Sequence, residues 1–342
     1  IRDRGRIILF AQNRKVFSGR VCMKTVGRGK VERIKAVFCF DENLTAPVQA
    51  AAASLTDSCV RASCHCEIHC VCTQKAGWVE EKLRQAVVRR DPESVLFMHC
   101  IENPYADSYE VRGISAGTYL RLALPGLLPD TDKILYLDAD ILIRDSLLEL
   151  WETPLSGMAF AAVKGAVNLS DKWEWNSRRD YWHMLEGQKG SYINAGVTLL
   201  NLSKLRRLNL KKTWDELARR KLYYQDQDIL NITCKGAIRF LPPKYNRLAY
   251  MPKEEYHLFV EQGLCTEEEY VQAMEAPVII HYAGDKPWNR YDTNLGSLWW
   301  EYVNSQPDLT CLFDEKKARR YHGPTLFDRA LGKVRRILGG EK

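Results

Sequence analysis

The sequence has no run of about 18 consecutive apolar residues, which is roughly the length that a membrane-spanning helix needs. We therefore predict no transmembrane helix. The apolar segment over residues 7–11 is too short for the core of a signal peptide, and no cleavage pattern follows it. In the absence of a secretion signal, we expect a cytoplasmic protein.

The sequence also lacks the C-x₂-C spacing of structural zinc sites, although it contains 11 cysteines. Five of them lie between Cys59 and Cys72, with His65 and His69 among them. The alternation of residues 64–73 predicts a strand in which cysteine serves as a small buried residue. A zinc site remains the alternative, and we expect the thiols to be reduced in a cytosolic protein.

No recognised nucleic-acid-binding module is present, so we expect no nucleic-acid partner despite the formal net charge of +7. The basic residues crowd both ends of the chain. A basic surface also suits an anionic membrane or phosphorylated substrates. The length allows one or two domains, and we divide the chain into a basic N-terminal extension (1–33), a central domain (34–300) and a basic amphipathic tail (301–342).

The C-terminal tail carries apolar residues at helical spacing after Pro324, with cations between them. Such a helix can lie in the surface of an anionic membrane. We therefore predict peripheral contact with the inner face of the cell membrane. Packing of this helix against the central domain is the alternative.

Strands and helices alternate from residue 34 onward, which predicts an α/β fold with a mostly parallel central sheet. Ligands bind at the carboxyl ends of the strands in such sheets. Asp41 and Asn43 follow the first strand (34–40) and are candidate contacts to a ribose, a base or a metal. Turn formation and helix capping are the alternative. Arg121, on a helix predicted over residues 115–124, is a candidate hydrogen-bond donor to a phosphate. A position on a solvated helix face is the alternative.

The segment 133–143 combines strand-forming apolar residues with two carboxylates, Asp138 and Asp140. Burial of two unpaired carboxylates is very unfavourable, so a cation should lie between them. Hard oxygen ligands favour Mg²⁺ or Mn²⁺, which keep positions open for substrate phosphates. The segment therefore predicts a metal–diphosphate site at the end of a central strand. A strand that ends at Leu137 and continues as an acidic turn is the alternative.

Three later segments place further polar groups beside predicted strands. Asn194 lies at the start of the strand 192–201, and Asp226 and Gln227 precede an apolar run. His281 ends the strand 278–281 and could complete a site with the two aspartates. Lys286 follows a glycine-containing turn and could neutralise a phosphate as a point charge.

These segments together resemble the retaining glycosyltransferases of family 8, particularly the bacterial lipopolysaccharide-type galactosyl- and glucosyltransferases. The resemblance covers roughly residues 34–288. It rests on six segments in order: Phe40-Asp41-Glu42-Asn43, Tyr119-Leu120-Arg121-Leu122, Leu135-Tyr136-Leu137-Asp138-Ala139-Asp140, Tyr192-Ile193-Asn194-Ala195-Gly196, Tyr224-Gln225-Asp226-Gln227-Asp228-Ile229-Leu230-Asn231 and His281-Tyr282-Ala283-Gly284-Asp285-Lys286-Pro287-Trp288.

The resemblance implies a GT-A fold, which is a Rossmann-like nucleotide-sugar transferase fold, with residues 34–300 as its catalytic domain. It also implies a UDP-sugar donor and Mn²⁺, with Mg²⁺ as the alternative. Asp138, Asp140 and His281 would hold the metal. The donor-binding residues implied are Phe40, Asp41, Asn43, Arg121, Asp138, Ala139, Asn194, Gly284 and Lys286. Gln227 and Asp226 are the catalytic candidates, and the mechanism of retention stays open.

The function that the resemblance implies is transfer of a hexose, galactose or glucose, from UDP to a glycan acceptor. The acceptor would be an oligosaccharide or glycolipid in lipopolysaccharide or other cell-surface polysaccharide synthesis. A non-catalytic sensor or scaffold that binds a UDP-sugar is the alternative hypothesis.

Overall fold

The computed structural model describes residues 33–73, 77–110, 115–169, 185 and 187–320. Most of the predicted N-terminal extension and the apolar tail helix predicted after Pro324 lie outside the described residues. The division into domains at residues 33/34 and 300/301 stays a prediction. Among the described helices, none has the length and apolar character that a membrane crossing requires.

A seven-stranded sheet forms the centre of the fold. Its strands are β1 Arg33–Phe40, β2 His65–Cys72, β3 Val95–Cys100, β4 Lys133–Leu137, β6 Phe160–Lys164, β7 Ile193–Asn201 and β8 Ile238–Leu241. Their order is β3-β2-β1-β4-β7-β6-β8. Only β7 runs antiparallel to its neighbours, and the other pairs are parallel. The prediction of a mostly parallel central sheet is confirmed.

A second, three-stranded sheet begins with β5, which follows β4 directly in the chain. Its strands are β5 Ile141–Ile143, β9 Arg247–Leu248 and β10 Ile279–His281, in the order β5-β10-β9. The chain thus leaves the large sheet at Leu137 and enters the small sheet at Ile141. The alternative of a strand that ends at Leu137 therefore describes the backbone correctly, and the acidic turn Asp138-Ala139-Asp140 connects the two sheets.

Helices cover the sheets and join their strands. The helices are α1 Thr45–Arg61, α2 Gly77–Val88, α3 Leu124–Leu127, α4 Leu148–Glu152, α5 Leu202–Leu208, α6 Lys211–Ala218, α7 Gln225–Thr233, α8 Lys253–Glu261, α9 Glu267–Glu275, α10 Gly296–Asn304, α11 Pro307–Thr310 and α12 Glu315–Arg319. The alanine-rich face of α1 is fully buried. Ser54 on α1 accepts a hydrogen bond from the backbone N–H of Ile143, at 3.1 Å, which ties α1 to β5.

The predicted cysteine-rich strand is β2, and its thiols lie in the core. Cys66 and Cys70 are fully buried, as is Cys59 on α1. Burial raises the pKa of the Cys70 thiol above its usual range. The cysteines of β2 therefore pack as small apolar residues, as the alternating pattern predicts.

The helix predicted over residues 115–124 has 3₁₀ geometry over Ala116–Ala123 before it continues as α3. A 3₁₀ helix has three residues per turn, so residues three apart lie directly above one another. Its capping residue Ser115 and the helical residues Thr118 and Arg121 accordingly form one row. This row faces the carboxyl edge of the large sheet, where it contacts three acidic side chains described below.

The C-terminal helices are joined to the sheet domain by the guanidinium of Arg90. Arg90 donates from Nη1 to Asp308 on α11 at 2.9 Å and from Nη2 to Gln306 at 2.9 Å. Its Nε lies 3.4 Å from Asp57 on α1. Burial would raise the pKa of Asp308, but the hydrogen bond and the positive charge of Arg90, together with smaller local effects, lower that pKa below its usual value.

Replacement of Arg90 by methionine should lower the free energy of unfolding by about 1–3 kcal/mol, because two partly buried carboxylates lose their cation. Urea denaturation of the full chain measures the change. Arg84→Met removes an exposed helical ion pair with Glu80 and should change stability by no more than about 0.5 kcal/mol. Equal effects of the two substitutions would contradict the structural role of Arg90.

Candidate active site

Asp138, Asp140 and His281 converge between the two sheets. β10 pairs antiparallel with β5, and this register sets His281 opposite Ile141, next to the acidic turn. The Nε2 atom of His281 lies 3.3 Å from Oδ1 of Asp140 and 3.6 Å from Oδ2 of Asp138. Within the described ranges, these residues form the only group of three or more candidate ligands whose donor atoms all lie within 4.8 Å.

The donor set fits a divalent cation of the size of Mg²⁺ or Mn²⁺. With metal–ligand distances near 2.1 Å, neighbouring ligands of an octahedral ion lie about 3 Å apart. The observed separations of 3.3 and 3.6 Å are close to this value. Two carboxylates and one imidazole are ligands that Mn²⁺ accepts.

Gly196 on β7 provides the space for these ligands. A Cβ atom at this position would lie 2.2 Å from Cε1 of His281 and 2.7 Å from Oδ2 of Asp138. Such distances are far below van der Waals contact, so no larger residue fits without movement of the imidazole or the carboxylate. The glycine is thus required by the close approach of the cluster to the backbone of β7.

One oxygen of Asp138 is anchored by the fold. Oδ1 accepts hydrogen bonds from Nη2 of Arg121 at 2.8 Å and from the hydroxyl of Tyr136 at 2.8 Å. The Arg121 guanidinium also lies 4.0 Å from the centre of the Tyr136 ring. These contacts orient the carboxylate so that Oδ2 faces His281.

Asp140 pairs with Lys286. The Lys286 ammonium donates to Oδ2 of Asp140 and to the carbonyl of Tyr282. Burial would raise the pKa of Asp140, but Lys286 and His281 outweigh it and hold that pKa well below its usual range. Gly284 has a φ of 105°, a conformation that favours glycine, and the turn it forms leads the chain to Lys286.

Asp226 is buried beside Arg121. Its Oδ1 accepts from the hydroxyl of Thr118 at 2.6 Å, and its Oδ2 lies 2.7 Å from Nε of Arg121. Burial raises the pKa of Asp226, against the lowering effects of Arg121 and Thr118. Arg121 therefore bridges the predicted metal ligand Asp138 and the catalytic candidate Asp226.

Gln227 is the more accessible of the two catalytic candidates, since Asp226 is only 3% exposed. The side-chain oxygen of Gln227 accepts from the backbone N–H of Ala195 at 3.0 Å, and its amide nitrogen donates to the hydroxyl of Tyr192 at 3.0 Å. Ala195 precedes Gly196 on β7. Gln227 is thereby fixed next to the strand that borders the cluster.

Asp41 and Asn43 lie at the same edge of the large sheet as Asp138, because β1 and β4 are parallel neighbours. Asp41 accepts from the backbone N–H of Asn43 at 3.0 Å and from the hydroxyl of Ser115 at 2.8 Å. The capping contact predicted as the alternative is therefore present. Phe40, the last residue of β1, is buried, whereas Asn43 is exposed.

The predicted donor-sugar residue Asn194 has a role in the site that the sequence did not indicate. Its Oδ1 accepts from the backbone N–H of Gly196 at 3.0 Å and from the side chain of Asn246 at 2.8 Å. Asn246 in turn contacts Nδ1 of His281 at 2.9 Å. Asn246 was not among the predicted site residues, because nothing in the local sequence pattern connects residue 246 with residues 194 and 281.

The site also contains the row of Ser115, Thr118 and Arg121, of which only Arg121 was predicted. Each of these side chains contacts an acidic residue: Asp41, Asp226 and Asp138 respectively. The signal for the row is the spacing of three residues, but it identifies one face only if the helix has 3₁₀ geometry. Ala139 lies buried between the two aspartates in the connecting turn.

The sequence profile described as Glycosyl transferase family 8 matches residues 35–292, which is more than half of the chain. The chain belongs to this family. The lipopolysaccharide 1,2-glucosyltransferase of Escherichia coli (strain K12) is 32% identical over 183 residues, which are 52% of this chain and 50% of that protein. The lipopolysaccharide 1,3-galactosyltransferase of Salmonella typhimurium (strain LT2) is 29% identical over 182 residues, 51% of this chain and 50% of that protein.

The fold of this family 8 chain is also similar to solved structures. The crystal structure of the galactosyltransferase LgtC in complex with donor and acceptor sugar analogs gives a TM-score of 0.65 at 26% identity. The similarity covers 80% of this chain and 96% of that one. The expected fold and family are therefore confirmed. The chain spans about half the length of the two curated relatives it matches.

Proposed function

We propose that this family 8 chain is a metal-dependent glycosyltransferase that moves a hexose, galactose or glucose, from UDP to a glycan acceptor. The observation that carries the proposal is the convergence of Asp138, Asp140 and His281, with Lys286 beside them, at the sheet edge where α/β folds bind ligands. Relatives named as lipopolysaccharide glucosyl- and galactosyltransferases support the hexose and an acceptor in cell-surface glycan synthesis.

The proposed metal ligands are Asp138, Asp140 and His281, and Mn²⁺ is the proposed ion, with Mg²⁺ as the alternative. When bound, the cation supplies positive charge to the diphosphate of the leaving group. Lys286 adds an ammonium on the same side. It stabilises the negative charge that builds on the phosphate oxygens as the bond to the sugar breaks.

Asp41 and Asn43 are the proposed uridine contacts, and Phe40 and Ala139 are further proposed donor-binding residues at the shared edge of β1 and β4. Gly284 with its turn would approach the diphosphate. Arg121 and Asn194, both proposed to line the donor sugar, also brace the cluster through Asp138 and Asn246. Any contact they make to the sugar would therefore be coupled to the position of the metal ligands.

Gln227 and Asp226 are the proposed catalytic residues. The sugar carbon becomes oxocarbenium-like as the leaving group departs, as in glycoside hydrolysis. The burial of Asp226 and its contacts to Thr118 and Arg121 favour an electrostatic role for its carboxylate in this transition state. Gln227, which is more exposed, is better placed to touch the sugar.

We also propose that the protein works on the cytoplasmic face of the cell membrane, where a lipid-linked acceptor would be found. The support is the basic, amphipathic sequence of the tail after Pro324. The described helix α12, with Lys316 and Lys317 in its last turn, leads into this tail.

A donor screen tests the proposed function. The full chain is incubated with Mn²⁺ and each common UDP-sugar, and free UDP is measured. We expect slow UDP release from one hexose donor, because water can replace the missing acceptor and hydrolyse the UDP-sugar. The release should disappear on chelation of the metal and in Asp138→Ala, in which Arg121 also loses a charged partner.

If the enzyme strictly requires an acceptor, it should bind the UDP-sugar but form no free UDP until a glycan acceptor is added. UDP-sugar binding with no release and no transfer to any oligosaccharide or glycolipid acceptor would support the non-catalytic sensor or scaffold instead. Release that is unchanged by Asp138→Ala would exclude the proposed metal site.

A further inference from the structure

A chain of three hydrogen bonds runs from the backbone of β7 to the imidazole of His281. The N–H of Gly196 donates to Oδ1 of Asn194 at 3.0 Å, and Nδ2 of Asn246 donates to the same oxygen at 2.8 Å. Oδ1 of Asn246 lies 2.9 Å from Nδ1 of His281. Asn246 and His281 are 1% and 3% exposed, so these contacts are shielded from bulk water.

The direction of each hydrogen bond follows from the first. A backbone N–H can only donate, so the Asn194 atom that it contacts must be the carbonyl oxygen. That oxygen can only accept, so Asn246 must turn its NH₂ group toward Asn194. The carbonyl oxygen of Asn246 then faces His281, and it can only accept a proton from Nδ1.

We propose that Asn246 is a positioning residue that holds His281 in the tautomer with the proton on Nδ1, so that Nε2 presents a lone pair to a divalent cation. The inference rests on the proposed metal site. It adds a residue outside the ligand set, and it explains why a buried asparagine lies between two sheets.

The Nδ1-protonated tautomer of His281 needs an acceptor such as Asn246, because Asp138 and Asp140 favour the tautomer with the proton on Nε2. Nε2 faces Oδ1 of Asp140 at 3.3 Å and Oδ2 of Asp138 at 3.6 Å, and Lys286 is the cation that faces Asp140. Without a metal, the two carboxylates attract a proton to Nε2, where it would block the position of the cation. A carbonyl acceptor at Nδ1 opposes this attraction.

The backbone makes Asn246 a rigid support. The 3₁₀ turn Pro243–Tyr245 precedes it, and its N–H donates to the carbonyl of Pro243 at 3.0 Å. The next residues form β9, which pairs parallel with β10 so that Leu248 lies opposite His281. Asn246 directly precedes β9 and His281 ends β10, so neighbouring strands of the same sheet hold the acceptor close to the imidazole.

Two measurements on the purified full chain test the proposal. The first is the tautomer of His281, read from two-bond ¹H–¹⁵N spectra at pH 9, where an ordinary imidazole is neutral. The signal is assigned by its loss in His281→Gln. The wild type should carry the proton on Nδ1, and Asn246→Leu should shift the population to Nε2.

The second measurement is Mn²⁺ affinity by calorimetry. Asn246→Leu should weaken binding by about 10- to 100-fold, because Nδ1 of His281 loses its hydrogen-bond acceptor. Asn294→Ala is the matched control, since its amide supports the carbonyls of Ala249 and Met251 after β9 without touching His281. In this variant the tautomer of His281 and the Mn²⁺ affinity should both be unchanged.

A wild-type proton on Nε2, or unchanged tautomer and Mn²⁺ affinity in Asn246→Leu, would overturn the proposal. If Asn246→Leu does not fold, Asn246→Ser makes the same test with a side chain too short to reach Nδ1. The tautomer is measured without metal or UDP-sugar, so this measurement tests the role of Asn246 separately from the proposed transferase function. A wild type that binds no Mn²⁺ contradicts the proposed function, while the spectra still decide the role of Asn246.

Discussion

Replacement of Asp140 by asparagine is expected to lower metal-dependent UDP release by about 10²- to 10³-fold. The amide keeps the size of the carboxylate and one oxygen, but it removes a full negative charge beside His281 and Lys286. The proposed metal ion then loses one of its two anionic ligands. Lys286 also loses its ion-pair partner, so the ammonium is no longer fixed at the site. The rate of UDP release at saturating donor and Mn²⁺ measures the effect.

Asp145→Asn provides the matched control. Asp145 is an exposed acid just after β5, where its carboxylate accepts only a local backbone hydrogen bond from Ser146 among the contacts described. The same change of charge at this position should leave UDP release unchanged. If Asp140→Asn retained wild-type rates, the cluster would not be the metal site, because an interior carboxylate in direct contact with the cation cannot be neutralised without consequence.

The sequence predicted the parts of the site that lie at the ends of strands. Asp138, Asp140 and His281 were recognisable because polar residues interrupt apolar strand patterns at these positions, and burial of an unpaired charge needs an explanation. The α/β pattern then placed them at one sheet edge. The predicted convergence of the three side chains is observed.

The parts that could not be predicted depend on contacts between distant segments or on local helix geometry. Asn246 contacts Asn194, 52 residues away, and His281, 35 residues away. Its own segment contains only the signals of a turn. The row of Ser115, Thr118 and Arg121 requires 3₁₀ geometry, which the composition of residues 116–123 does not distinguish from an α-helix.

Gly196 is a third feature of the site that the sequence could not predict, because its role is steric. The sequence indicates that glycine permits a close approach, but it does not identify the group that approaches. In the fold, β7 is the one antiparallel strand of the described seven-stranded sheet, and it pairs with β4 so that Val197 lies opposite Leu137. Gly196 therefore lies next to the turn that joins β4 to β5. Asp138 donates its backbone N–H to the carbonyl of Gly196 at 2.8 Å, which brings the cluster directly onto this residue.

Gly196→Ala should therefore weaken metal binding strongly without removing any ligand. The added methyl group would lie 2.2 Å from Cε1 of His281 and 2.7 Å from Oδ2 of Asp138, so both must move. We expect Mn²⁺ affinity to fall by at least about 100-fold, the upper end of the effect of misplaced ligands. The overpacking should also cost about 1–3 kcal/mol of stability.

Gly126→Ala is the control for Gly196→Ala, because an added Cβ at Gly126 on α3 meets no atom within 4 Å. This variant should bind Mn²⁺ like the wild type and unfold at the same or a slightly higher denaturant concentration. Calorimetry is carried out only on samples whose unfolding transitions show a folded protein at the working temperature. Normal Mn²⁺ affinity in folded Gly196→Ala would mean that the cation is held elsewhere, because His281 and Asp138 cannot both keep their positions beside a methyl group.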